Sequence, residues 1–167
     1  MMPKEEDPLL LIEKELMAGR GKWIADFTES KRSFKLGGIT FDLLIRGGTK
    51  VKGFLLSRIL SYFVSPNYLV ACFIYKAKEG SHVDRTLLQK MLGTIKKFME
   101  KEELHWSWLI VLQQRYPEPL KKFVNDLGSR EVGVVLYDVG SREISYNSPL
   151  GKQMAKHVFP KALLKRR

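Results

Sequence analysis

The sequence predicts a single α/β domain built on a mixed, partly parallel central sheet that is flanked by helices. From Tyr68 onward, strand-length apolar runs alternate with amphipathic helical segments, and crossovers of that length favour parallel pairing. The 167 residues fit one domain and contain no recognisable linker. A hydrophobic fraction of 44%, with three Trp, six Tyr and nine Phe, can fill a substantial core. We therefore expect residues 1–160 to form the domain and residues 161–167 to form a basic, frayed tail.

The first part of the chain is interpreted as a helix followed by strands. Pro8–Ala18 has apolar residues at near-helical spacing, and two glycines follow it. Trp23–Thr28 is predicted to be a strand, with Ser33–Leu36 as its hairpin partner after a turn of polar residues. Ile39–Ile45 is predicted to be a second strand that Gly47 and Gly48 close.

The second part of the chain has clearer patterns. Val51–Phe63 is ambiguous but suits a helix, whereas Tyr68–Tyr75 is an apolar run typical of a central strand covered on both faces. Val83–Lys101 is predicted to be a helix, with Ser81 and Asp84 forming a capping box. Its predicted buried stripe consists of Leu87, Leu88, Met91, Leu92, Ile95 and Phe98.

Three further elements complete the predicted order. Trp106–Leu112 is an apolar strand, and a helix begins near Pro119 and ends before Gly128. Val132–Val139 and Glu143–Tyr146 are predicted to pair as a hairpin, and Ser148 and Pro149 are predicted to cap a last helix.

The charge of the chain indicates an anionic partner. Lys and Arg number 29 against 18 Asp and Glu, which gives a formal net charge of +11 and a pI near 9.8. Nucleic acid is the partner that this imbalance favours, although a solvated basic face is the simpler alternative. The candidate nucleic-acid-binding residues are Lys31, Arg32, Lys35, Arg46, Lys50, Lys52 and Lys78.

Several classes of protein are disfavoured by the sequence. The single cysteine, Cys72, lies in an apolar run and is predicted to be a buried thiol, so neither a disulfide framework nor a cysteine-based zinc site can form. The apolar stretch Pro8–Met17 is too short to span a bilayer, and we expect a cytoplasmic protein without a membrane partner. There is no glycine-rich nucleotide loop, nucleophile elbow or HExxH motif, and the three histidines are scattered.

A set of polar residues on successive elements carries a family resemblance. A helix containing Glu13 and Glu15 is followed by a strand bearing Asp42, a strand ending in Lys76, and a helix bearing Gln89. This order resembles the core of the PD-(D/E)xK, or restriction-endonuclease-like, nuclease superfamily. The resemblance implies that the second-strand Asp binds a divalent metal together with a third-strand acid. It also implies that Lys76 positions or activates the attacking water.

The sequence departs from that family at the third-strand acid. Ile74 stands two residues before Lys76, where the family has Asp or Glu, and Glu79 offers a substitute only at a different spacing. Mg²⁺ requires hard carboxylate oxygens, and two converging carboxylates are close to the minimum for phosphodiester hydrolysis. A catalytic set of Asp42, Lys76, Glu79 and Gln89, with Mg²⁺ held by Asp42 and Glu79, is therefore incomplete. A non-cleaving member of the superfamily fits the residues better.

Three functions follow as hypotheses. The first is a nucleic-acid-binding protein with a nuclease-like fold and a degenerate catalytic site. The second is an active metal-dependent nuclease, for which Mg²⁺ would be the cofactor. The third is an interaction or assembly subunit, either a homodimer or part of a larger complex, in which the edge of Glu143–Tyr146 and the segment Trp106–Trp108 contact partners.

Overall fold

The computed structural model describes residues 6–49 and 68–165. The regular elements are α1 (Pro8–Ala18), β1 (Asp26–Leu36), β2 (Ile39–Thr49), β3 (Tyr68–Lys76), α2 (Arg85–Glu102), β4 (Trp106–Gln113), α3 (Glu118–Asn125), β5 (Val132–Asp138), β6 (Glu143–Tyr146) and α4 (Leu150–Gln153). Short 3₁₀ segments occupy Arg20–Trp23 and Lys161–Leu163, and a π-helical segment, Met154–Val158, continues α4.

Within the part of the chain that the structure describes, the strands form one six-stranded sheet in the order β1-β2-β3-β4-β5-β6. The first three are antiparallel neighbours, β3, β4 and β5 are parallel, and β6 returns antiparallel to β5. Helix α2 connects β3 to β4 and helix α3 connects β4 to β5, as parallel pairing requires. The predicted mixed, partly parallel sheet is confirmed.

Helices cover both faces of the sheet, which creates two apolar layers. One layer packs α2 and α3 against the sheet through residues such as Met91, Ile95 and Leu120. The other packs α1 and the segment after α4 through residues such as Ile12 and Val158. Because both faces are covered, β3 and β5 are apolar along nearly their whole length, as expected for central strands.

Several local predictions are confirmed. The predicted stripe of α2 faces the core, since Leu88, Met91 and Ile95 are fully buried. Cys72 is a buried free thiol, and burial raises its pKa far above the ordinary range of a cysteine. The predicted hairpin of β5 and β6 forms with Asp138 opposite Glu143.

The structure corrects the predicted hairpin at the start of the sheet. Residues 26–36 form one continuous strand, and the hairpin turn lies at Gly37 and Gly38, both of which have positive φ. The polar run that suggested a turn belongs to an edge strand, where side chains on both faces reach solvent. Arg32, which belongs to this polar run, pairs in register with Leu43 of β2 and is therefore part of the strand.

The N-terminus of α2 also differs from the prediction. Asp84 is the N-cap, and its carboxylate accepts a hydrogen bond from the Leu87 amide at 2.7 Å. Ser81 instead belongs to the preceding loop, where its amide donates to the Lys78 carbonyl. A single Asp cap therefore replaces the predicted capping box.

The predicted basic tail is docked through Lys165. Leu163 is buried, and its carbonyl accepts a 2.6 Å hydrogen bond from the Tyr137 hydroxyl. The Lys165 amide donates to the Arg142 carbonyl. The predictions for Val51–Phe63, Lys50 and Lys52 lie outside the described residues. Within the described ranges, every helix is too short or too polar to cross a bilayer.

Candidate nucleic-acid interface

The carboxyl ends of the parallel strands form one edge of the sheet. β3, β4 and β5 end at Lys76, Gln113 and Asp138, and the register places Lys76 beside Leu112 and Gln113 beside Asp138. The tip of the β1–β2 hairpin lies at the same end, because β2 begins there and runs antiparallel to β3. Ligands of open α/β sheets usually bind at this edge, which we call the carboxyl edge.

Asp42 and Lys76 meet at the carboxyl edge. The paired residues of β2 and β3 end at Leu43 and Ile74. Asp42 immediately precedes Leu43 on β2, and its carboxylate accepts a 2.7 Å hydrogen bond from the backbone amide of Lys76. The side chain thus replaces a ladder contact where the two strands separate. Of the sequence-predicted catalytic residues, these two are brought into direct contact.

The Lys76 ammonium group has an acidic neighbour that the family resemblance does not name. Its Nζ lies 3.6 Å from Oδ1 of Asp7, which also accepts the Leu9 amide and so caps α1. Asp7 was missed because the expected first-helix acids were Glu13 and Glu15. The sequence signal is the Asp-Pro pair before an apolar stretch, a typical start of a helix.

The packing of the third strand accounts for the absence of an acid at position 74. Ile74 is fully buried in the apolar layer that also contains Ile12 and Leu16 of α1. A carboxylate at this position would be desolvated among hydrocarbon side chains. The position is therefore built as core and not as a metal ligand.

The two acids expected on the first helix, Glu13 and Glu15, form ion pairs with arginines. Glu13 accepts a 2.6 Å hydrogen bond from the Arg32 guanidinium and a 3.0 Å bond from the Ser30 hydroxyl. Glu15 pairs with Arg20. Across residues 6–49 and 68–165, no three His, Cys, Asp or Glu side chains are grouped so that they could hold a metal ion.

Glu79 and Gln89 lie in the loop and the helix that follow β3. Glu79 is exposed in the loop after β3 and lines a groove of 660 Å³ with Lys76, Lys78 and His82. Gln89 is exposed on α2, one turn beyond the cap. A second groove of 750 Å³ runs from Lys76 toward α1 and the C-terminal segment, so Lys76 lines both.

The predicted basic residues divide between two ends of the sheet. Lys76, Lys78 and the exposed Lys35 lie toward the carboxyl edge. Arg46 pairs in register with Ala71, five residues before Lys76, so it lies roughly 17 Å away along the strands.

Ion pairs already engage several of these cations. Arg46 lies 3.5 Å from the Glu102 carboxylate and stacks over the Phe98 ring. Lys31 lies 3.2 Å from Glu29, and Arg32 is bound by Glu13. Exposed ion pairs of this kind are weak, so a phosphate can compete for Lys31 and Arg32.

Buried polar groups hold the loops of the carboxyl edge in place. The Gln113 side chain accepts from the Val83 amide and donates to the Arg115 carbonyl, both at 2.6 Å. Tyr116 donates to the Val111 carbonyl at 2.8 Å. Burial, and secondarily the negative charge of Asp138, raise the pKa of Tyr116 well above its ordinary value. Sequence patterns gave no signal for these residues, because each lies at the end of an apolar strand or in a loop.

The segment proposed for protein contacts is largely internal. Trp108 is buried, and its indole nitrogen donates to the Leu150 carbonyl at 3.1 Å. Trp106 is half-buried and packs against Tyr68 on the neighbouring strand. β6 forms one edge of the sheet but is only four residues long. Short edge strands discourage edge-to-edge association.

Comparisons with protein-family models, with curated proteins and with solved structures find no match for this chain.

Proposed function

We propose that this protein is a nucleic-acid-binding domain with a restriction-endonuclease-like core and a degenerate catalytic site. The element order supports the proposed core: a helix, three antiparallel strands, a crossover helix and a fourth strand parallel to the third. The contact between Asp42 and Lys76 also supports it, because the two residues come from the strands that the resemblance requires.

The position of Lys76 is the observation that carries the proposed binding. Its side chain is about half exposed at the carboxyl edge and borders both grooves there. Lys78 lines one groove and Arg142 lines the other. Cations along a groove offer a path for the phosphates of a nucleic-acid backbone, and release of counterions would drive binding.

The environment of the site argues against cleavage. Asp42 is engaged by the Lys76 amide, Ile74 occupies the position of the second acid, and Glu13 is bound by Arg32. Metal-assisted hydrolysis needs converging carboxylates to hold the ion near the scissile phosphate. Among the described residues, no three His, Cys, Asp or Glu side chains are grouped so that they could hold a metal ion. We therefore expect binding without hydrolysis. As a separate part of the proposal, the protein acts in the cytoplasm.

Binding is tested by fluorescence anisotropy with labelled single-stranded and duplex oligonucleotides over a range of salt concentrations. We expect the affinity of the wild-type protein to fall steeply as salt rises. Lys76→Gln with Lys78→Gln should weaken binding and reduce the salt dependence. The matched control is Lys96→Gln with Lys97→Gln, which removes the same charge from the exposed face of α2 and should bind like wild type. An absence of binding at low salt would contradict the proposal.

Cleavage is tested by incubating the same substrates with Mg²⁺ or Mn²⁺. We expect no difference between the wild-type protein and an Asp42→Ala variant. Cleavage by the wild type that Asp42→Ala abolishes would establish an active nuclease instead.

A further inference from the structure

A further basic concavity is lined by a different set of residues from the two carboxyl-edge grooves. It has a volume of 510 Å³ and is lined by Arg20, Ile24, Gln153, Lys156, His157 and Lys161. We call it the basic pocket. Two lysines, one arginine and one histidine converge there from three separate segments, and none of the lining residues among those that the structure describes carries a carboxylate. None of these four basic residues belongs to the sequence clusters that suggested nucleic-acid binding.

The turn after α1 fixes the position of Arg20. A Cβ atom on the next residue, Gly21, would overlap the carbonyl of Leu16, so the tight turn requires glycine. The Glu15 carboxylate accepts the Arg20 amide at 3.2 Å and lies 3.7 Å from its guanidinium Nε. The guanidinium is therefore oriented by one carboxylate at its inner nitrogen, while the side chain still lines the basic pocket.

The π-helical segment positions Lys156 and His157. Its residues Met154, Ala155 and Val158 are buried in the apolar layer, so the two intervening residues face outward. π-helical turns are rare and occur frequently at functional sites. Here the turn places two consecutive basic side chains at the rim of one concavity.

The C-terminal 3₁₀ turn supplies Lys161. Burial of Leu163 and the hydrogen bond from Tyr137 to its carbonyl hold this turn against the sheet. Lys161 lines the basic pocket, whereas the next two residues, Ala162 and Leu163, line the 750 Å³ groove that reaches Lys76. The basic pocket and that groove therefore lie on either side of one short turn.

We propose that the basic pocket binds a phosphate group. Like charges that converge in a concave site repel one another and raise the local potential, and an anion relieves that repulsion. Phosphate oxygens accept charge-assisted hydrogen bonds from guanidinium and ammonium groups. The phosphate can belong to a nucleic-acid backbone or to a free polyphosphate. The first source rests on the proposed function, since one strand would then extend from Lys76 across the turn to Lys161, and the second does not.

Backbone amide NMR of the full chain with inorganic tripolyphosphate tests the pocket itself. We expect shifts of the Arg20, Lys156, His157 and Lys161 amides that saturate with ligand concentration. Lys156→Gln with Lys161→Gln should abolish saturation, while the control Lys96→Gln with Lys97→Gln should retain it. The substituted lysines are exposed, so we expect each variant to fold like the wild type. The spectrum of each variant checks this directly.

A single-stranded oligonucleotide, measured by anisotropy against salt, tests the backbone source. Removing one cation that binds a phosphate lowers the salt slope by about 0.7 for a single strand. For two such cations, we therefore expect a slope about 1.4 lower in the double variant of the basic pocket. This decrease should add to that of the Lys76 and Lys78 variant.

The outcomes separate the two proposals. Saturation by tripolyphosphate with an unchanged oligonucleotide slope would assign the pocket to free polyphosphate. A lower slope without saturation would assign it to the nucleic-acid backbone. If the protein binds no oligonucleotide, the tripolyphosphate measurement alone decides. If neither probe distinguishes the pocket variant from its control, the phosphate site is overturned.

Discussion

The backbone amide of Lys76 donates a 2.7 Å hydrogen bond to the carboxylate of Asp42, immediately beyond the last paired residues of β2 and β3. Asp42 thus supplies a hydrogen-bond acceptor to the backbone amide at the end of β3, where β2 no longer pairs with that strand. Under the proposed restriction-endonuclease-like core, an acid on this strand would hold a metal ion. In this chain the described contact gives the carboxylate a structural task.

Replacement of Asp42 should reduce stability modestly. Asp42→Ala removes an acceptor from a partly exposed amide, which costs about 1 kcal/mol in the free energy of unfolding. Asp42→Asn keeps a side-chain oxygen and should cost less. Urea denaturation measures both variants. The interpretation would be wrong if Asp42→Ala left the unfolding free energy unchanged, because the hydrogen bond would then contribute nothing.

Two glycines should respond in opposite ways to alanine. A Cβ on Gly151 would overlap the Asn147 side chain and the Val134 carbonyl, because α4 lies directly against β5. Gly151→Ala should therefore destabilise the protein by about 1–3 kcal/mol. Gly93 lies within α2 with open space around it, so Gly93→Ala should stabilise it by about 0.5–1 kcal/mol. Thermal unfolding distinguishes these outcomes, and a stabilising Gly151→Ala would contradict the close packing of α4 on β5.

Tyr116 should make stability fall at alkaline pH. Its pKa in the folded protein is raised, first by burial and then by the charge of Asp138, so the folded chain keeps the phenol proton longer than the unfolded chain. The folded state therefore binds more protons above about pH 10, and its stability decreases as pH rises. The contribution is fully present below about pH 10 and is lost at about 1.4 kcal/mol per pH unit above it.

A comparison with Tyr116→Phe isolates this contribution. The variant loses the hydrogen bond to the Val111 carbonyl and should be about 1 kcal/mol less stable at neutral pH. Above about pH 10 its disadvantage should shrink and then reverse. Cys72 is common to both proteins, so its own ionisation cancels in the difference. A difference that stays constant from neutral to strongly alkaline pH would contradict the assignment.

The sequence predicted the central layers of the fold well because two signals are strong there, long apolar runs for the strands and helical spacing of apolar residues for the helix. Long apolar runs identified β3 and β4, and helical spacing identified the buried face of α2. The edge strand β1 was predicted less well. Its polar side chains face solvent on both sides, so alternation is weak and a polar run resembles a turn.

The candidate sites were less predictable because they are assembled from distant segments. Asp42 and Lys76 were identified, but Asp7 reaches Lys76 only through the packing of α1 against the sheet. The basic pocket combines residues 20 and 161, which are far apart along the chain. Sequence clusters of lysines indicated charge, whereas the fold determines which charges converge.

Anisotropy with a labelled oligonucleotide, titrated with salt, tests the proposed function most directly. We expect steeply salt-dependent binding by the wild-type protein and a lower salt slope for Lys76→Gln with Lys78→Gln. Lys96→Gln with Lys97→Gln should behave like the wild type. No binding at low salt, or equal losses in the two double variants, would contradict an interface centred on Lys76.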